Sequence, residues 1–283
     1  MADTNYTNLF NIDIRNIRYG GADIKLIKLG GTIIYEKLYL YVPREFEDNI
    51  NITRVRTIVN DTHTDLSNMF YNCYKLLSVN TKEWDTSNVT IMDRMFYNCE
   101  SLTELDLSNW NVGNVVTRAS DTGSHFQGFY EMFHGCKSLK YLNLSNWDTK
   151  NVIYMEHLFQ YCESLEVIDL RNWELPNLYT ISNSFLWCKS LHTLRLDNWS
   201  NDSIRKVIEQ GKLYTGSIPS GINKTVRTIY CKEENAVGLE SILPDGWVFN
   251  YNIDEESDIP EIPLYEVEQF KNNKEITEVR TGK

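Results

Sequence analysis

The sequence predicts an α/β repeat fold, a solenoid of about five 26-residue coils with an N-terminal β-meander and a C-terminal αβ cap. Three observations lead there. Trp84, Trp110, Trp147, Trp173 and Trp199 are separated by 26, 37, 26 and 26 residues, and Cys73, Cys99, Cys136, Cys162 and Cys188 each stand 11 residues ahead of a tryptophan. A Phe precedes every one of these cysteines by three residues and a Leu follows each by three, from Phe70 and Leu76 to Phe185 and Leu191. Within each period the apolar pattern changes from helix-like to strand-like.

Four segments follow in chain order: a meander over 1–48, the repeats over 54–199, the cap over 200–251 and an acidic extended tail over 252–283. In the first, Asn11 to Arg18, Asp23 to Leu29 and Thr32 to Val42 alternate in polarity and are joined by Gly20-Gly21 and Gly30-Gly31, a strong hairpin signal.

The clearest repeat runs from Asp85 to Trp110. Met92, Met95, Phe96 and Cys99 lie at i, i+3, i+4 and i+7 and predict a short helix, while Leu102-x-x-Leu105-x-Leu107 predicts a short strand with Leu105 and Leu107 inward. One such unit cannot stand alone. Burying about seven apolar side chains at roughly 2 kcal/mol each returns less than fixing the backbone costs, at about 1 to 2 kcal/mol per residue. Stacking must supply the rest, by joining strands in a parallel sheet and aligning each residue column. Two asparagine columns suit such an array: Asn109, Asn146, Asn172 and Asn198 before the tryptophans, and Asn88, Asn114, Asn151 and Asn177 four residues after them. Their amides are expected to bond to one another and to turn backbone in the neighbouring coil.

The string Asp-Thr-Ser-Asn-Val-Thr-x-Met-x-x-Met-Phe-x-x-Cys-x-Ser-Leu-x-x-Leu-Asp-Leu-Ser-x-Trp resembles the BspA-type leucine-rich repeat of bacterial surface proteins and of phages that infect gut bacteria, over about half the chain. The resemblance implies a right-handed solenoid and a role in adhesion or protein contact, and it brings no catalytic residues. The stretch Ile24 to Lys37 is similar to short modules of phage tail and baseplate proteins.

Past Trp199, Asp202 to Gln210 reads as a helix ended by Gly211 at the left-handed C′ position. A strand at Val226 to Cys231, a helix near Glu234 to Ile242, and Leu243-Pro-Asp-Gly-Trp247 leading into Val248 to Tyr251 complete the expected cap. From Asn252 the chain is acidic and poor in core residues, a composition that does not fold alone.

The chemistry points away from catalysis and from cofactors. The formal charge of -11 repels nucleic acid and anionic membrane, and no run of about 20 apolar residues offers a membrane span. The start of the chain has no secretory pattern, which leaves a product made in the cytoplasm as the expectation. Neighbouring ladder cysteines stand about 4.8 Å apart with parallel Cβ vectors, too wide for bridging, so buried free thiols are expected, Cys231 included. The five histidines show no metal-ligand spacing, and Glu156-His157 lacks the first His of a metalloprotease helix. Spacing alone leaves a glycosidase-like carboxylate pair open, but the acidic residues fall at outward positions.

Those outward strand positions are the candidate binding surface: Ser78, Glu104, Tyr141, Val167 and Thr193 in one column, and Asn80, Asp106, Asn143, Asp169 and Arg195 in the next. The alternative is a face that is only solvated. The third repeat carries 11 extra residues within Thr117 to Gly128, with His125 and Phe126 as a candidate contact tip or a functionless insertion. The expectation is a non-enzymatic structural protein of a phage virion, possessing no cofactor or metal. Its meander and tail would dock to other virion proteins, and the coils would meet a neighbouring subunit, a host surface protein or a glycan. A bacterial cell-surface adhesin is the second reading.

Overall fold

A computed structural model describes the backbone of residues 13–19, 22–29 and 32–40, and residues 46–82, 84–115, 118–119, 126–220, 222 and 226–253, with 56, 58, 118–119 and 126–127 described by backbone alone. It is a mixed α/β chain whose strands pair mostly in parallel and whose helices are few.

Strands β1 (Asp13–Tyr19), β2 (Ala22–Leu29) and β3 (Thr32–Leu40) pair antiparallel, as Gly-Gly connections favour. β3 then pairs in parallel with β4 (Ile52–Ile58), and β4 with β5 (Ser78–Asn80), so the first strands share one five-stranded sheet with the repeats. The repeats go on with β6 (Glu104–Asp106), the insertion's β7 (Arg118–Ala119) and β8 (Phe126–Gln127), then β9 (Tyr141–Asn143), β10 (Val167–Asp169) and β11 (Thr193–Arg195). The cap holds α1 (Asn201–Gln210), β12 (Arg227–Tyr230), α2 (Glu233–Ala236), a 3-10 turn at Glu240–Ile242 and β13 (Trp247–Asn250). β12 and β13 prolong the parallel sheet β10-β11-β12-β13.

Each residue column stacks on itself. The Phe rings at 46, 70, 96, 133, 159 and 185 lie 5.3 to 5.9 Å apart in sequence, each nearly parallel to the next. Trp84, Trp110, Trp147 and Trp173 follow at 5.4, 6.5 and 5.7 Å. Phe46 puts an additional, degenerate repeat ahead of the boundary at 54 read from sequence. Its Asp48 has the same left-handed backbone as Asn72, and Trp84 Nε1 donates to its Thr57 carbonyl.

The predicted helices within the repeats are not there; runs of turns replace them. The reason is where the amides point. In an α-helix every N–H past the first turn bonds within its own segment. Here alternate amides leave the repeat: those of Asn68, Phe70 and Asn72 donate to the carbonyls of Asp93, Met95 and Tyr97 at 2.8 to 2.9 Å. That requires left-handed backbone at two positions per repeat, met at Asn68 and Asn72, Arg94 and Asn98, Glu131 and Gly135, His157 and Tyr161, and Asn183 and Trp187.

Helix α1 supplies the last layer. Its Gln210 carbonyl and that of Gly211 accept the amides of Asn183 and Phe185, which would otherwise be orphaned. Ser200 caps its start, accepting from the Ser203 amide. Gly211 departs from expectation, with a right-handed φ of -66°, while the positive φ falls on Lys212. Glycine is needed there for space, because a Cβ would lie 2.5 Å from the Val207 carbonyl oxygen and 2.9 Å from the Phe185 ring. The second predicted cap helix is split in two around Gly238, which has φ +75°.

Candidate functional site

Most polar groups of the repeats are spent holding one repeat to the next. The amides of the two asparagine columns flanking the tryptophans donate to backbone of the preceding repeat and not to one another: Asn109 to Thr81, Asn146 to Ser108, Asn172 to Ser145, Asn198 to Arg171, Asn88 to Asp61 and Asn114 to Ser87, at 2.6 to 3.2 Å. Cys99, Cys136, Cys162 and Cys188 donate to the carbonyls of Phe70, Phe96, Phe133 and Phe159 at 3.1 to 3.2 Å. All six cysteines are free and buried, and burial pushes the Cys136 and Cys188 thiols up to about 12, so they are not thiolate nucleophiles.

The strand tripeptides leave side chains outward by simple alternation, with Leu105 and Leu194 buried beneath. In-register pairing places Glu104 beside Tyr141 and Asp106 beside Asn143, and Val167 beside Thr193 and Asp169 beside Arg195. The second column has a local task as well. One side-chain oxygen each of Asn80, Asp106, Asn143 and Asp169 accepts the amide two residues on, at 3.0 to 3.2 Å, and closes the turn that ends the strand. Arg171 also grips Asp169, with Nη2 2.8 Å from Oδ2. Glu104 and Tyr141 are a half-buried outward pair with no such turn bond among the described residues.

Arg195 is not part of an open surface. It is fully buried, its Nη2 lies 2.7 Å from Asp197 Oδ2 and donates to the Ile253 carbonyl, and its guanidinium sits 5.0 Å from the centre of the Tyr230 ring. The reason is the cap, whose strand β12 pairs against β11 and whose chain returns over it. His125 lies outside the described residues, as does the Phe126 side chain. The backbone at 118–119 and 126–127 forms an antiparallel hairpin, and the insertion ends at Gly128, whose amide donates to Asp93 Oδ1 at 2.6 Å. The insertion is thus rooted on a turn run, and the strand columns stand on other segments of the repeat.

A feature of the turn runs escapes column alignment. Tyr71, Tyr97, His134, Tyr161 and Trp187 form a continuous file of rings, 4.8, 4.5, 5.4 and 6.4 Å apart. It shifts by one column at Tyr161, which hides it from a fixed-period search. Beside it lie Arg94 and Glu131, 2.6 Å apart, and two buried carboxyls. Burial raises Asp93 and Glu156 to about 7, although Asp93 accepts amides from Gly128 and Tyr130; Glu156 Oε2 has no partner among the described residues.

Among the described residues no group of three His, Cys, Asp or Glu is placed to hold a metal ion, and no helix is long and apolar enough to cross a membrane. The model of a family described as "Mycoplasma protein of unknown function, DUF285" matches residues 43–120 and 122–215, well over half of the chain and starting ahead of Phe46. No curated protein matches.

Proposed function

We propose, for a chain that belongs to the DUF285 family, a non-enzymatic role in which the repeats wind a BspA-type leucine-rich-repeat solenoid and its outward strand face makes contact with another molecule. The observation that carries this reading is how the side chains are used. Thiols, amides and the indoles of Trp84, Trp147, Trp173 and Trp199 are consumed between repeats, whereas half-buried Glu104 and Tyr141, with the outer Asp106 oxygen and the Asn143 amide nitrogen, present a polar strip. Such a strip suits polar protein or sugar contacts.

The setting we propose is a phage virion. The β1 to β3 strands, whose sequence is similar to tail and baseplate modules, would join other virion proteins, and the strip would meet a neighbouring subunit or the host surface. Mass spectrometry of purified particles is expected to find this chain, and its absence from them would remove the virion reading. The second reading is a bacterial surface adhesin of the BspA type, a bacterial setting being all that the family's description, which gives no function, speaks to. Fractionation of the producing cells separates the two, since an adhesin stays with the cell envelope in the absence of particles. For either setting, Glu104→Lys with Tyr141→Ala is expected to weaken binding to the isolated host surface or particle at least tenfold without altering the circular dichroism spectrum. Unchanged binding would move the contact off this face.

A further inference from the structure

The file of rings along the turn runs, Tyr71, Tyr97, His134, Tyr161 and Trp187, stands apart from the strand face. Its members all keep some exposure, and Trp187 is 42 % exposed while the other six tryptophans are buried. Stacking takes up ring faces between repeats, so edges and polar atoms are what the file offers to solvent. Among the described residues the hydroxyls of Tyr71, Tyr97 and Tyr161 have no hydrogen-bond partner, and none of them is sealed from solvent. Continuing the file strains the backbone. The second left-handed position of each repeat falls on Asn72, Asn98 and Gly135, which take it readily, and then on Tyr161 and Trp187, bulky residues that disfavour it. These two are the residues that carry the file on past His134. The core does not ask for aromatic rings there, because both side chains lie outside it.

Spacing and charge narrow what such a surface fits. Successive rings, one to a repeat, stand 4.5 to 6.4 Å apart. An extended peptide advances about 3.3 Å per residue, and about twice that between side chains on one side, so it falls out of step within a few repeats. Polyanions are repelled by the formal charge of -11. The ionic groups flanking the file are already paired, Arg94 with Glu131 and Lys189 with Glu163 at 2.6 Å, and Lys137 with Glu100 at 2.7 Å, which leaves the surface locally neutral. The fitting partner is an uncharged chain whose units are about one ring long, with hydroxyls to meet the phenols and C–H groups to meet the ring edges. A β-linked hexose chain has that repeat and that chemistry, and weak contacts made in register along one chain add up.

We propose that the ring file binds an extended, uncharged β-linked glycan lying along the stack of repeats, about one sugar to a ring, with the Lys189 and Glu163 pair beside Trp187 bonding to sugar hydroxyls at one end. Nothing in this requires the contact assigned to the strand face. Cellohexaose is titrated into the full-length protein, with binding read by calorimetry and by tryptophan fluorescence, to which Trp187 is the exposed contributor. It is expected to bind at least tenfold more tightly than cellobiose, which spans only two rings, and maltohexaose, whose α-linkages coil the chain, is expected not to bind. Tyr71→Phe, Tyr97→Phe and Tyr161→Phe together keep the stacked rings and remove the three hydroxyls. That variant is expected to lose at least tenfold in cellohexaose affinity at an unchanged melting temperature, and Trp187→Phe to abolish the fluorescence response. Glu104→Lys with Tyr141→Ala, on the strand face, is expected to bind cellohexaose as before, so the two surfaces stand or fall separately. No binding of cellohexaose, equal binding of cellobiose or maltohexaose, or full affinity in the triple variant would each overturn the proposal. Loss of host-surface or particle binding by the triple variant, with no glycan bound by the unaltered protein, would overturn it in favour of a protein contact.

Discussion

Gly135 stands at a left-handed position, φ +74°, where a Cβ would come within 2.2 Å of Asn98 Oδ1. Gly135→Ala adds backbone strain to a steric conflict and is expected to cost about 1–3 kcal/mol, read as a lowered midpoint in urea. Glu156 gives a pH signature. Burial holds its carboxyl at about 7 against an ordinary 4.5, so in that window the folded protein binds its proton more tightly than the unfolded chain does. Its contribution to stability is present below the unfolded value and is lost as pH rises through the folded one. Glu156→Gln keeps the shape and removes the buried charge, and is expected to raise the melting temperature by about 2–6 °C near pH 8 while changing little near pH 5. An equal gain at both values would mean that the charge is not what burial penalises there.

At the scale of an element, the turn run shows why a helical spacing of apolar residues did not make a helix. Met92, Met95, Phe96 and Cys99 are all buried, as the spacing requires, but a run with alternating left-handed residues also buries them on one side. The inter-repeat amide bonds decide between the two. The asparagine columns do similar work at the loops. Asn172→Ala removes a 3.1 Å bond to the Ser145 carbonyl and is expected to cost about 1 kcal/mol, with Asn172→Asp no better because a carboxylate cannot donate. Recovery of full stability in the aspartate variant would contradict the assigned donor.

For the whole molecule, a stacked array is as stable as its ends, since an uncovered terminal repeat exposes both apolar columns and unpaired amides. Helix α1 and strands β12 and β13 cover the last repeat, with Ile204 and Val207 of α1 fully buried against it. Ile204→Asp is therefore expected to open the array from that end. Amide hydrogen exchange should quicken first in residues 181–200 and last around Phe96, whereas uniform quickening would indicate a chain that unfolds as one unit.

The period of the repeats, the buried columns, the free thiols and the cap's first strand were all legible in the sequence, because burial pattern and 26-residue spacing are properties of residue order. The additional repeat at Phe46 was not, since it keeps the Phe but lacks the Cys and Trp that mark the others. The site was legible only in part. Alternation pointed Glu104, Asp106, Tyr141 and Asn143 outward, but alternation alone puts Arg195 there as well. Only the tertiary structure, by returning the chain over β11 from the cap, decided that Arg195 is covered while Glu104 is not. Which face of a strand a residue takes is a local matter of period two; what lies over that face is set by contacts far away in sequence.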